Sequence, residues 1–148
     1  MVFGWHGDSV KDYVGGLVGT EIGGVTVNNK EGYLGGGTEF DPDDGDDFID
    51  FGLRPELDMG DGDLTFSAWV KTVPTFHGSS HRVIFRSSAF GGSHGWGVKE
   101  AFGRDIGGEV YGSTGGRQGY RFANAWINDG EWHHIVVVFD SSTYDVYG

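Results

Sequence analysis

The sequence contains no cysteine, which excludes both a disulfide framework and a thiolate metal site. It has only 3 prolines in 148 residues, and no apolar run is long enough to cross a bilayer. No basic and apolar leader follows Met1, so no signal peptide is visible. Large extracellular β domains often manage without disulfides, and the compartment therefore stays open.

Basic residues are also scarce, because Lys and Arg total 10 against 22 Asp and Glu, a formal net charge of -12. Such a field repels phosphate backbones and anionic lipid surfaces. We therefore expect neither a nucleic-acid partner nor membrane insertion. Most of the acids are aspartates, which either serve turns and cation sites or reflect adaptation to high salt, and composition does not separate the two.

Glycine and aromatic residues are abundant, with 29 glycines and 15% aromatics. Glycine is a poor helix former, and this combination favours many short strands joined by tight turns. No long segment keeps apolar residues at helical spacing, apart from one short helical turn predicted at residues 54–58. The length suits a single domain spanning residues 1–148.

Alternation of apolar and polar residues predicts two strong strands. In residues 63–72, Leu64 and Phe66 point to one side of the strand and Trp69 to the other. Residues 131–139 follow a turn, and their near-continuous apolar end predicts a central strand. Weaker strands are predicted at residues 3–6, 24–27, 37–41, 47–51, 81–87, 96–102, 109–112, 120–122 and 144–147. Together they predict an all-β sandwich of antiparallel sheets.

Four segments carry a resemblance to a known family. They read GGTEF at 36–40, DFIDFG at 47–52, LTFSAWV at 64–70 and DGEWHHIVVVFD at 129–140. In this order they resemble the LamG-like, concanavalin A-type jelly-roll family. The resemblance implies a two-sheet antiparallel jelly roll on an extracellular, cell-surface or virion-surface protein. It also implies calcium at the rim in many members, and glycans or other cell-surface ligands at the loops or concave face.

The family usually continues past a turn like the last one here into further strands. We therefore expect a jelly roll that is incomplete at its C-terminal side and has an open sheet edge. Either the sequence is a fragment of a longer chain, or a strand-donating partner or another copy completes the sheet by β-augmentation.

A dense acidic loop is the candidate metal site. Carboxylates packed this closely repel one another unless water or a cation lies between them, and calcium accepts 6–8 oxygen ligands in flexible geometry. The spacing is not that of an EF-hand, because Gly45 falls one place early. A solvated acidic turn is the alternative interpretation. The candidate ligands are Asp41, Asp43, Asp44, Asp46 and Asp47.

Catalysis is not expected from this sequence. His133 and His134 are adjacent on a strand and face opposite sides, so they cannot chelate one ion together. Residues 39–43, with Glu39, Asp41 and Asp43, superficially suggest the acids of a glycosidase on one strand face, but Pro42 breaks the strand ladder there. No nucleophile elbow, zinc-binding helix or phosphate loop is present.

Aromatic and polar residues of the glycine-rich half are suited to sugar binding, because apolar sugar faces stack on aromatic rings. Trp69 and Trp132 lie on regular strands and are assigned to packing. The sequence thus predicts a glycan-directed, calcium-assisted binding or adhesion module. The alternative is a structural subunit of a surface, filament or virion, whose open edge another chain completes. The candidate ligand-binding residues are Trp96, Tyr111, Arg117, Tyr120, Arg121 and Trp126.

Overall fold

The structure is a computed structural model, and it describes most of the chain. The described residues form two compact units, Met1–Leu57 and Asp58–Gly148. The single domain expected over residues 1–148 stays a prediction. Among the described residues there is no helix long and apolar enough to cross a bilayer. The described residues are 5–41, 47–52, 54, 57, 62–72, 82–87, 95–101, 105–111, 117–121, 126–140 and 145–147.

The unit Met1–Leu57 contains two antiparallel ribbons. Strand β1 (Thr20–Ile22) pairs with β4 (Phe48–Asp50), and β2 (Thr26–Gly32) pairs with β3 (Gly35–Glu39). The sequence pattern missed β1, because three residues are too few for alternation to be recognised. Strand β3 ends before Pro42, where the missing N–H was expected to stop the ladder.

Two local predictions fall in the same unit. Trp5 and His6, predicted as part of a strand, are in none, and the Trp5 indole N–H instead donates to the Ser9 carbonyl of a turn that folds back. The prediction of a strand there is wrong for these two residues. The helical turn predicted at 54–58 matches the hydrogen bond from Leu57 N–H to the Arg54 carbonyl, 2.9 Å long.

The unit Asp58–Gly148 contains a three-stranded antiparallel sheet in the order β11-β10-β5. Its strands are β5 (Leu64–Lys71), β10 (Trp132–Asp140) and β11 (Asp145–Tyr147). Strand β10 lies between the other two, as its near-continuous apolar sequence predicts. Gly130, with a φ of 83°, provides the left-handed residue in the turn that leads into it.

A four-stranded antiparallel sheet in the order β6-β7-β8-β9 belongs to the same unit. Its strands are β6 (Arg82–Arg86), β7 (Gly95–Ala101), β8 (Asp105–Tyr111) and β9 (Arg117–Arg121). Each strand pairs with the next one along the chain, which is the meander expected when glycine-rich turns separate short strands.

One hydrophobic core joins these two sheets. The Trp96 ring of β7 lies 4.9 Å from the Phe85 ring of β6 and 5.6 Å from the Phe139 ring of β10. Partly buried residues of β5, including Phe66, pack against it. The prediction of an all-β antiparallel sandwich is therefore confirmed. The buried apolar residues of the described chain are Trp96, Val98, Ile106, Ile127, Ile135, Val137 and Phe139.

The assignment of inward and outward faces on β10 can be tested by replacing two adjacent valines. Val137 is 1% exposed and Val136 is 39% exposed, because they face opposite sides of the sheet. Val137→Ala should lower the free energy of unfolding by about 2 to 3 kcal/mol through lost burial and a residual cavity. Val136→Ala should cost less than about 1 kcal/mol. Urea denaturation measures both, and equal losses would contradict the assigned faces.

Candidate functional site

Trp96, expected on a ligand-binding surface, lies instead in the core. It is 4% exposed, and it shares the inward face of β7 with Val98. Its ring contacts Phe66, Phe85 and Phe139. The assignment of Trp96 to a ligand platform is therefore corrected to packing, because an indole enclosed by these rings has no face left for a sugar.

Four other predicted ligand residues lie on β8 and β9, whose backbone register the structure gives. Tyr111 and Arg117 are cross-strand partners, so these two positions are brought together. Tyr120 lies opposite Gly108, and Arg121 lies opposite Gly107. The side chains of Tyr111, Arg117, Tyr120 and Arg121 lie outside the described part of the structure.

Trp126, another of the predicted ligand-binding residues, lies at the surface with 56% of its area exposed. Its backbone is fixed, since the next residue, Ile127, is buried in the core. The Thr72 hydroxyl donates to the Ile127 carbonyl over 2.9 Å, and the Gly130 N–H donates to the Thr72 carbonyl over 2.9 Å. The segment that carries Trp126 is thus tied to the end of β5.

The outer face of β5 and β10 carries a second aromatic group, which sequence analysis assigned to packing. Trp69 is 37% exposed and stacks on the His134 ring at a centroid distance of 4.9 Å and an interplanar angle of 30°. His134 Nε2 and Ser67 Oγ form a hydrogen bond of 2.9 Å. Alternation along β5 already placed Trp69 opposite the core side, and this signal could have identified the surface position.

Asp41 and Asp47, the described ends of the acidic loop, are linked by a hydrogen bond between backbone and side chain. The Asp47 carboxylate accepts the Gly24 N–H at 2.6 Å and the Asp41 N–H at 2.8 Å. Asp43, Asp44 and Asp46 lie outside the described residues. Among the residues that are described, no three His, Asp or Glu side chains come together as a metal-binding group.

Two glutamates of the four-stranded sheet are buried, but they do not face each other. Glu100 lies on the inward face of β7 with Val98, whereas Glu109 forms an ion pair with Lys99 on the opposite face. A glycosidase needs two carboxyl groups on either side of one bond. These two side chains are separated by the sheet and do not form such a pair.

Comparison with known proteins places most of the chain in one family. The family model Laminin_G_3, described as the concanavalin A-like lectin/glucanases superfamily, matches residues 43–148. Neither the curated proteins nor the solved structures gave a match. The matched residues include β4 to β11 and the segment that carries Trp126.

In the turn before β10, the Asp129 carboxylate forms hydrogen bonds with His133 and with the backbone of Glu131. Asp129 Oδ1 lies 2.9 Å from His133 Nε2 and also accepts the Glu131 N–H at 2.9 Å. The bond to His133, followed by that to Glu131, holds the pKa of the Asp129 carboxyl below its ordinary value of 3.8. His133 and His134 make separate contacts, as expected for adjacent residues on opposite faces.

This lowered pKa predicts a defined pH dependence of stability. The unfolded chain binds the Asp129 proton more tightly than the folded chain, so the bond stabilises the fold above pH 3.8. The stabilisation should disappear as the pH falls through the lower folded value. The difference in urea midpoint between wild type and Asp129→Asn should therefore shrink from about pH 6 to about pH 2.5. A difference that stays constant over this range would contradict the assignment.

Proposed function

Because the chain belongs to the concanavalin A-like lectin/glucanase superfamily, we propose that it is a non-catalytic binding module that recognises carbohydrate. LamG-like domains are in general binding modules without catalytic activity. Their typical location is extracellular, and we extend this to a cell-surface or virion-surface setting for the present protein. The ligand is then a glycan presented at such a surface.

The exposed indole of Trp126 is the observation that carries this proposal. A sugar ring presents C–H groups on one face and hydroxyls at its edge, and an exposed aromatic ring stacks against the C–H face. The hydrogen bonds around Thr72 and the burial of Ile127 fix the backbone before any ligand arrives. A ring displayed on a fixed segment loses less conformational entropy on binding than one on a free loop.

The arrangement of the carboxylates supports the absence of catalysis. Glu109 is neutralised by Lys99, and Glu100 faces the other side of the sheet. Strand β3 ends at Glu39, so Asp41 lies beyond the strand on which the sequence suggested a row of acids, and Asp43 lies outside the described residues. General acid and base catalysis on a glycosidic bond needs two carboxyl groups held across that bond, and Glu100 and Glu109 do not form such a pair.

Calcium assistance forms part of the proposal. The ligands would be Asp41, Asp43, Asp44, Asp46 and Asp47, of which all but Asp41 lie at the start of the segment that the family model matches. The Asp41 N–H, which the Asp47 carboxylate accepts, joins the two ends of this loop. Carboxylate oxygens have further lone pairs, so the same oxygens that accept an N–H can also bind a cation.

A second candidate function, assembly with another chain, is favoured by the edge of β5. Within the described residues, β5 has a ladder partner on one side only, which is β10. Unpaired backbone groups along a regular strand are suited to pairing with a strand from elsewhere. In this alternative the protein is a structural subunit of a surface, filament or virion, and another chain or another copy completes the sheet.

Replacing Trp126 tests the carbohydrate proposal. On an array of immobilised glycans, Trp126→Ala should weaken binding at least about tenfold, because the stacking surface is lost. Tyr33→Ala is the matched control, since Tyr33 is also an exposed aromatic residue but lies at the tip of the β2–β3 hairpin. A wild-type protein that binds no glycan, or two variants with equal losses, would reject the proposal.

Calcium titration tests the acidic loop. Millimolar calcium should release or absorb heat in calorimetry and raise the unfolding temperature, because a ligand that binds only the folded state stabilises it. The variant Asp43→Asn with Asp44→Asn should lose both effects, and magnesium is the control for general screening of charge. Absence of heat and of a thermal shift with wild type would remove calcium from the proposal.

A further inference from the structure

The outer face of the three-stranded sheet carries a pre-arranged aromatic group that is separate from Trp126. His134 is stacked on Trp69 at 4.9 Å and is held at its Nε2 by Ser67 Oγ at 2.9 Å. These three residues are close because His134 lies directly opposite Trp69 in the β5–β10 ladder. The register places Val136 opposite Ser67, which extends the surface with an exposed apolar side chain.

The charge of this face differs from that of the chain as a whole. From Thr65 to Lys71 on β5 and from Trp132 to Val138 on β10, the outward positions include no acidic residue, and the next outward position, Asp140, lies at the far end of β10 opposite Asp145 of β11. Lys71 is the one lysine or arginine among these positions, and it lies opposite Trp132 in the β5–β10 ladder. These positions are Thr65, Ser67, Trp69, Lys71, Trp132, His134, Val136 and Val138.

We propose that this face is a carbohydrate subsite in which a neutral pyranose ring stacks on Trp69, a proposal that rests on the carbohydrate-binding function above. The indole supplies the surface for the C–H face of the sugar. The imidazole of His134 and the hydroxyl of Ser67 lie beside it and can exchange hydrogen bonds with the ring hydroxyls. Thr65 and Lys71 on the same strand add a hydroxyl and an ammonium donor further along the face.

The chemistry of the face favours a neutral sugar over other ligands. An apolar peptide segment would leave the Ser67 and Lys71 polar groups without partners, which costs free energy on desolvation. A strongly acidic glycan usually requires several arginines or lysines, and this face offers one lysine. A neutral sugar offers an apolar ring face to the Trp69 indole and hydroxyls to the polar groups of Ser67 and Lys71.

The experiment uses the full chain on an array of neutral glucose, galactose, mannose and N-acetylglucosamine oligosaccharides. Trp69→Ala and His134→Ala should each weaken binding of at least one of these at least about tenfold, while Trp69→Phe should retain most of the affinity. Urea unfolding of each variant shows whether the fold is kept. In the wild-type protein, the indole N–H signal of Trp69 should shift in NMR when that oligosaccharide is added, a readout that needs no variant.

The outcomes separate this proposal from the one on which it rests. If Trp126→Ala abolishes binding while Trp69→Ala and the Trp69 signal are unaffected, the subsite is rejected and the carbohydrate function stands. If no neutral oligosaccharide binds at all, the subsite is rejected as well. If sedimentation shows a dimer that Trp69→Ala dissociates, a second copy of the chain occupies this face, and the sugar subsite is also rejected.

Discussion

The packing of β10 against the four-stranded sheet is the interaction on which the rest of the Asp58–Gly148 unit depends. Val137 and Phe139 lie on the same, buried face of β10, and Phe139 contacts Trp96 of β7. Because side chains of a strand alternate strictly, burying this face forces His134 and Val136 outward. The ladder with β5 then brings Trp69 beside His134. The exposed aromatic group is therefore a direct consequence of how the core is filled.

The tryptophans illustrate how burial and surface roles are divided. Trp96 is enclosed by aromatic neighbours from β5, β6 and β10, and it belongs to the core. Trp126 and Trp69 are exposed, yet each is held in place by its surroundings. Hydrogen bonds anchor the backbone beside Trp126, and the stacked His134 ring anchors the side chain of Trp69. Fixed, exposed indoles are the feature on which the proposed ligand binding rests.

Charged residues are distributed unevenly over the described part of the chain. At the described ends of the acidic loop, the Asp47 carboxylate is compensated by the N–H groups of Gly24 and Asp41. The outward positions of β5 from Thr65 to Lys71 and of β10 from Trp132 to Val138 have no carboxylate, whereas Asp140 lies at the end of β10. Inside the four-stranded sheet, the Lys99–Glu109 pair cancels its own charge. In a chain with a formal net charge of -12, the acidic residues are therefore unevenly distributed over the described strands.

The sequence by itself determined the strand class, the alternation of β5, the central position of β10 and the membership of the family, because these follow from local period and local sequence. It missed β1, which is too short to show a period, and it assigned Trp96 to a ligand-binding surface and Trp69 to packing, whereas Trp96 is buried and Trp69 is exposed. Alternation says that two sides of a strand differ, but not which tryptophan the partner sheet will cover. Tertiary structure decided that, because the rings that contact Trp96 come from β5, β6 and β10, and such contacts leave no mark in the residues adjacent to Trp96 in sequence.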